Sequence, residues 1–166
     1  MKYDIIGDIH GCYDTLVLLL EKLGYRFLEG CYQHTSRKVI FVGDFVDRGP
    51  KQLEVIDGVR AMIDAGHAFA VMGNHELNAI AYATPDPKDG GFLRRHSERN
   101  QRNHQAFLDA VEGNPEKYKD VIDWLYTLPM WLELDNLRVI HACWDQDAIN
   151  KIEANYTGMP YLSKTL

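Results

Sequence analysis

The sequence is poor in the features that would assign it to a membrane, to secretion or to a nucleic-acid surface. None of its apolar runs, Leu16–Leu20 among the longest, approaches the length needed to span a bilayer. Met1-Lys2-Tyr3-Asp4 leads straight into a strand-like segment, without the charged and apolar regions of a secretory leader. Cysteine is scarce. Cys12, Cys31 and Cys143 are odd in number and fit neither a zinc spacing nor a disulfide framework, the usage expected of reduced thiols in a cytoplasmic protein. Lys and Arg total 18 against 24 Asp and Glu, and the formal charge of -6 removes any global attraction for nucleic acid or an anionic membrane. No repeat, low-complexity tract or linker interrupts the 166 residues, of which 46% are hydrophobic. Residues 1–166 therefore read as one domain with a sizeable core.

What is present is an alternation of strand and helix signals. Tyr3–Ile6 reads as a short buried strand, followed by a helix capped by Asp14, with Leu16, Leu19, Leu20 and Leu23 at helical spacing and Gly24 at its end. Residues 25–37 are polar, aromatic and turn-rich, a loop or small hairpin. Lys38–Val42 is a second strand. Pro50 suits the first turn of a helix that carries Leu53, Ile56, Val59 and Ile63 inward and ends at Gly66, and His67–Met72 is a third strand. The order β-α-β-α-β implies an α/β fold with parallel strands and right-handed crossovers, whose ligands gather at the carboxyl ends of the strands. Downstream, Leu77–Ala83 reads as helix, 84–91 as loop, Ser97–Val111 as a polar helix, and Asn114-Pro115 as the start of a helix through about Tyr126 that buries Val121, Ile122 and Leu125. Trp131–Leu134 and Leu137–Ile140 flank the two-residue turn Asp135-Asn136, an antiparallel hairpin, and a last helix starts near Asp145.

Three blocks follow the three predicted strands: Gly7-Asp8-Ile9-His10-Gly11, Gly43-Asp44-Phe45-Val46-Asp47-Arg48-Gly49-Pro50 and Gly73-Asn74-His75-Glu76. A fourth element, His141, ends a later strand. Each block delivers hard or borderline metal ligands to the same sheet edge, so a binuclear centre is the leading expectation. Asp8 and His10 stand two apart and face one way in an extended chain. Their oxygen and nitrogen donors suit Mn, Fe, Zn, Co or Ni, with Mn first, rather than Ca. Asp44 has two oxygens with which to bridge two ions, and Asn74 and His141 complete the second. Two divalent ions sharing a water generate a bridging hydroxide near neutral pH and hold the phosphoryl oxygens of an ester. His75 is the candidate general acid, with Asp47 holding its tautomer, and Arg48 offers a planar fork for phosphate.

These blocks resemble the motifs of calcineurin-like metallophosphoesterases, and within them the phosphoprotein phosphatase branch, which includes bacterial and phage serine/threonine phosphatases and symmetrical diadenosine tetraphosphatases. Val139-Ile140-His141-Ala142 resembles the next family motif, so the likeness covers residues 3 to about 145. The resemblance implies a β-sandwich flanked by helices, with Asp8, His10 and Asp44 on one metal and Asp44, Asn74 and His141 on the other. It also implies that Asn74 and Arg48 meet the substrate phosphate and that His75 with Asp47 supplies the proton. The family has a further metal-binding His downstream, and this sequence has no His after His141. The expectation is an N-terminal portion of a longer catalytic domain, or a site completed by a second copy in a homodimer.

Three functions follow. The first is a phosphatase for phosphoproteins or small phosphoesters, favoured by Asp47-Arg48-Gly49 and Asn74-His75-Glu76. The second keeps the chemistry and takes diadenosine tetraphosphate or a nucleic-acid end. The third is a truncated, non-catalytic binding module, against which His75 and Arg48 argue. Arg94, Arg95, Arg99 and Arg102 form a local basic patch suited to a polyphosphate or phosphopeptide, the alternative being a solvated helix face. His96 and His104, eight apart on one expected helical face, lack a third ligand and are set aside as metal ligands. Trp124 and Trp131 read as core, Trp144 as a wall beside the site, and residues 84–113 as a candidate lid.

Overall fold

The computed structural model describes residues 1–134, 136–156 and 160–162. Its element order is β1 (Lys2–Ile6), α1 (Tyr13–Lys22), β2 (Arg26–Leu28), β3 (Cys31–Gln33), β4 (Arg37–Phe41), α2 (Gln52–Asp64), β5 (Ala68–Ala70), α3 (Asn74–Ala83), α4 (Glu98–Ala110), α5 (Pro115–Leu125), β6 (Trp131–Leu134), β7 (Leu137–Ile140) and α6 (Gln146–Asn155). β1, β4 and β5 form a parallel sheet with β4 in the centre, as the β-α-β-α-β pattern requires. β2–β3 and β6–β7 are antiparallel hairpins, and the turn residue Asp135 lies outside the described residues.

The pleat of the central sheet divides the core in two. On β4, Val39 and Phe41 face the helices, whereas Ile40 faces the β6–β7 hairpin. The same alternation sends Ala68 and Ala70 to the helical side and Phe69 to the hairpin side. Val39, Ile40 and Phe41 are fully buried, which for side chains of this size contributes roughly 1.5–3 kcal/mol each. The expected sandwich is realised as this sheet with the hairpin residues Leu132, Leu134, Leu137 and Val139 against one face. Met72 N–H donates to Pro129 O at 2.8 Å, tying the end of β5 to the chain just before β6.

Several boundaries differ from the pattern reading. α1 starts at Tyr13 with Cys12 as N-cap and no side-chain cap; Asp14 lies inside the first turn and pairs with Lys51 Nζ at 2.7 Å. α2 starts at Gln52, so Pro50 precedes its N-cap Lys51. The buried stripe of α2 is Gln52, Val55, Ile56, Val59 and Met62, with Leu53 and Ile63 only half-buried, because the helix rolls Gln52 inward to meet the loop before it. α3 begins at Asn74, which puts Asn74, His75 and Glu76 in its first turn. His96 lies ahead of α4 rather than on it, and its Nε2 meets Tyr82 O at 2.8 Å. Trp124 and Trp131 are buried as expected, and the hairpin strands lie where the pattern puts them. No described helix is long and apolar enough to cross a membrane.

Candidate functional site

The loops after β1 and β4 are laced together by backbone hydrogen bonds before any side chain is considered. Ile9 and His10 N–H groups both donate to Asp44 O, Gly11 N–H to Phe45 O, and Gly49 N–H to His10 O, all at 2.8–3.0 Å. The approach is close enough that glycine is required at Gly43 and Gly73: a Cβ on Gly43 would collide with the Gly73 backbone, and one on Gly73 with Asp44. Five described non-glycine residues have positive φ, and four of them, His10, Asp44, Asp47 and Arg48, belong to these loops. Such backbone costs of order 1–3 kcal/mol per residue and persists only where the surroundings impose it.

Glu76 imposes much of it. From the first turn of α3 this fully buried carboxylate accepts the N–H groups of Asp44 (2.7 Å), Phe45 (2.8 Å) and Gly73 (3.0 Å). Burial pushes its carboxyl above the ordinary range, and the backbone donors pull the other way. Gln52 does the equivalent for the second half of the loop: Oε1 accepts Asp47 N–H at 2.6 Å and Nε2 donates to Gly49 O.

Around Asp44 the structure gathers acceptors. His10 Nδ1 donates to Val46 O (2.8 Å) and His141 Nδ1 to Val42 O (2.6 Å), which turns both Nε2 lone pairs to the site. Those atoms lie 3.7 and 3.6 Å from Asp44 Oδ2. Asp44 Oδ1 is already engaged by His75 N–H at 3.0 Å. Asp8 Oδ2 stands 3.8 Å from His10 Nε2, and Asn74 Oδ1 stands 3.0 Å from His141 Nε2. His10 Nε2 is buried and has no hydrogen-bond partner among the described residues. A cluster of acceptors with an orphaned buried nitrogen fits a divalent cation. The donor atoms of His10, Asp44 and His75 lie within 4.8 Å of one another, as do those of Asp8, Asp44 and His141. Asp44 is common to both clusters.

Around Asp47 the environment is reversed. His75 Nδ1 donates to Oδ2 at 2.6 Å and His104 Nδ1 to Oδ1 at 2.8 Å. Burial alone would raise the Asp47 carboxyl; the hydrogen bonds from His104 and His75 outweigh it and hold the group below the ordinary carboxylate range. The hydrogen bond to Asp47 raises His75, against its partial burial, and the negative charges of Asp44, Asp47 and Glu76 add to the effect. Arg48 is exposed and has no partner among the described residues. With His75, Arg102, Asn103, Gln105, Ala106 and Asp109 it lines an open groove of about 530 Å³. Of the four arginines in the basic patch, Arg102 alone reaches that groove, while Arg94 is spent on Asn78 Oδ1.

All eight residues expected at the site thus converge on the strand ends. His104, Glu76 and Gln52 were not among them, and Arg102 was expected only as part of the basic patch. A signal for His104 existed: with Phe107 and Val111 it recurs at helical spacing, which marks it as inward-facing on α4.

The chain belongs to the calcineurin-like phosphoesterase family, whose model matches residues 1–156. The particular relatives are narrower. A bis(5'-nucleosyl)-tetraphosphatase PrpE (asymmetrical) from Oceanobacillus iheyensis is 35% identical over 143 residues, 86% of this chain and 55% of that protein. Its namesake from Halalkalibacterium halodurans is 51% identical over 76 residues, 45% of this chain and 31% of that protein. Among solved structures, a cold-active protein-tyrosine phosphatase from a psychrophilic Shewanella shares the fold with a TM-score of 0.61 at 22% identity, over 98% of this chain and 51% of that one. The chain spans about half the length of the first of these curated relatives and less of the other.

Proposed function

We propose that residues 1–166 act as one metallophosphoesterase domain that hydrolyses a nucleotide phosphoanhydride of the dinucleoside tetraphosphate class. The observation that carries this substrate class is the open groove lined by Arg48, His75 and Arg102. The general acid sits on its rim, so the groove receives the leaving group, and a second unpartnered guanidinium there suits a leaving group that itself carries phosphate. The relatives named as tetraphosphatases support the same class.

In this reading Asp8, His10, Asp44, Asn74 and His141 hold two divalent ions, Mn first among Mn, Fe, Zn, Co and Ni. The ions supply an acidified water and neutralise charge on the phosphoryl group. The chain's residues do the rest. Arg48 binds the equatorial oxygens in a bidentate fork. A water oxygen forms the new P–O bond and releases its proton to solvent. The bond to the leaving group breaks with its electron pair on the leaving oxygen, which takes the proton from His75 Nε2. Asp47 keeps that ring oriented and charged in the interval.

The test compares Mn-dependent rates on diadenosine tetraphosphate, a phosphopeptide and an aryl phosphate, with His75→Ala and Asp44→Asn as controls. Preference for the tetraphosphate, reduced by Arg102→Ala, is expected. Preference for the phosphopeptide would make the protein a protein phosphatase instead. Absence of turnover with an intact circular dichroism spectrum would return the chain to a binding role.

A further inference from the structure

Asp47 is held at both oxygens, and only one of its partners has a place in the chemistry above. The second, His104, comes from the middle of α4 and is 3% exposed. Its ring is walled by Tyr82 at 5.2 Å and Phe107 at 5.0 Å between centroids. Its Nε2 is buried and has no hydrogen-bond partner among the described residues. A buried polar side chain on an otherwise aromatic face is costly, and a hydrophobe of similar volume would pack there without that cost. Among the described residues, the single polar contact His104 makes is the one to Asp47. The Asp47 backbone is itself strained, with φ at 70°, and its N–H is pinned by Gln52. A carboxylate on such a backbone, free at one oxygen, would rotate about its Cβ–Cγ bond. Held at Oδ1, it presents Oδ2 to His75 in one orientation.

We propose that His104 is a positioning residue for proton donation: by fixing Asp47 Oδ1 it aims the His75 ring so that Nε2 points into the groove. His104 touches neither phosphate nor metal ligand; it acts through Asp47. The inference rests on the reading of His75 as the general acid, and it extends the site from the strand-end loops to α4.

The experiment uses two aryl phosphates that differ in leaving-group basicity, p-nitrophenyl and phenyl phosphate, with Mn as the metal. A weakly basic phenolate departs with little help, whereas phenolate itself needs the proton. His104→Leu is expected to lower kcat on phenyl phosphate by about 10- to 100-fold, to change kcat on p-nitrophenyl phosphate much less, and to leave KM unchanged. His104→Asn, whose amide nitrogen stands near the position of Nδ1, is expected to restore most of the loss. A merely structural His104 would cost both substrates alike, and that result overturns the proposal. If the leucine variant does not fold, His104→Gln, which keeps a donor but displaces it, carries the same expectation and the same refutation. His75→Asn on the same pair separates the two layers. Unequal losses there with equal losses at position 104 reject the positioning role alone; equal losses in both reject the acid.

A second readout needs no turnover. The Nδ1–H protons of His75 and His104 are both bonded to one carboxylate and should resonate far downfield in the proton spectrum. His104→Leu should remove one signal and shift the other. An unshifted His75 signal would overturn the proposal.

Discussion

Asp44 and Asp47 sit three residues apart on one loop, both nearly fully buried and both with positive φ, yet their surroundings are opposite. The free oxygen of Asp44 faces two ring nitrogens whose other nitrogens are committed to backbone carbonyls, so lone pairs converge on it. Asp47 instead receives a donor on each oxygen and needs no cation. The same residue type, in one turn of chain, faces converging lone pairs at one end and hydrogen-bond donors at the other. The difference lies in what the neighbouring elements present: a strand end and a hairpin strand at Asp44, two helices at Asp47.

The largest effect should come from removing the group that supports the whole loop. Glu76→Ala leaves the buried N–H groups of Asp44, Phe45 and Gly73 without an acceptor, at about 1–3 kcal/mol each. Against a total stability of about 5–15 kcal/mol this is a large share, and the midpoint of chemical denaturation should fall sharply. Asp44→Asn breaks only the cation end. It should lower Mn affinity by calorimetry, and kcat/KM by more than the roughly 10- to 100-fold that losing a residue behind a ligand costs. Asp47→Asn breaks only the other end. Its loss in kcat should fall within the about 10²- to 10⁴-fold range of general acid catalysis, with Mn affinity unchanged. Equal loss of metal binding in both variants would erase the comparison.

Smaller, but more diagnostic, is a pH dependence of stability. Asp47 is held below the ordinary carboxylate range, so its contribution is present above about pH 4 and is lost as the pH falls through its lower native value. His75 is held above the ordinary histidine range, so its contribution is complete below about pH 6.5 and is lost as the pH rises through its higher native value. The difference in Tm between wild type and Asp47→Asn should therefore be widest between about pH 4 and 6.5 and narrow on either side. Smallest of all, Lys51→Ala removes an exposed, solvent-screened pair with Asp14 and should leave the denaturation midpoint close to that of the wild type, a baseline for the loop variants.

The parts of the site legible in sequence share a cause. Asp8, His10, Asp44, Asn74, His75 and His141 each lie within a few residues of a strand end, and strand ends announce themselves through short apolar runs closed by glycine or by the ligand itself. His104 stands 57 residues from Asp47 in a helix whose surface is mostly polar, and its contact depends on how α4 packs. Gln52 lies outside the inward stripe of Leu53, Ile56, Val59 and Ile63 that the periodicity predicts, and only the inward roll of that helix brings it to the Asp47 N–H.

By itself, then, the sequence determined the β-α-β-α-β frame, the parallel sheet and the arrival of metal-type ligands at one edge, because periodicity and turn residues act locally. The tertiary structure alone decided which oxygens meet lone pairs and which meet donors, since that depends on helices and a hairpin arriving from distant segments. Coulombic and hydrogen-bond terms at 3–4 Å are set by that arrival. A one-dimensional pattern places a carboxylate on a loop; packing determines whether it holds a cation or a proton donor.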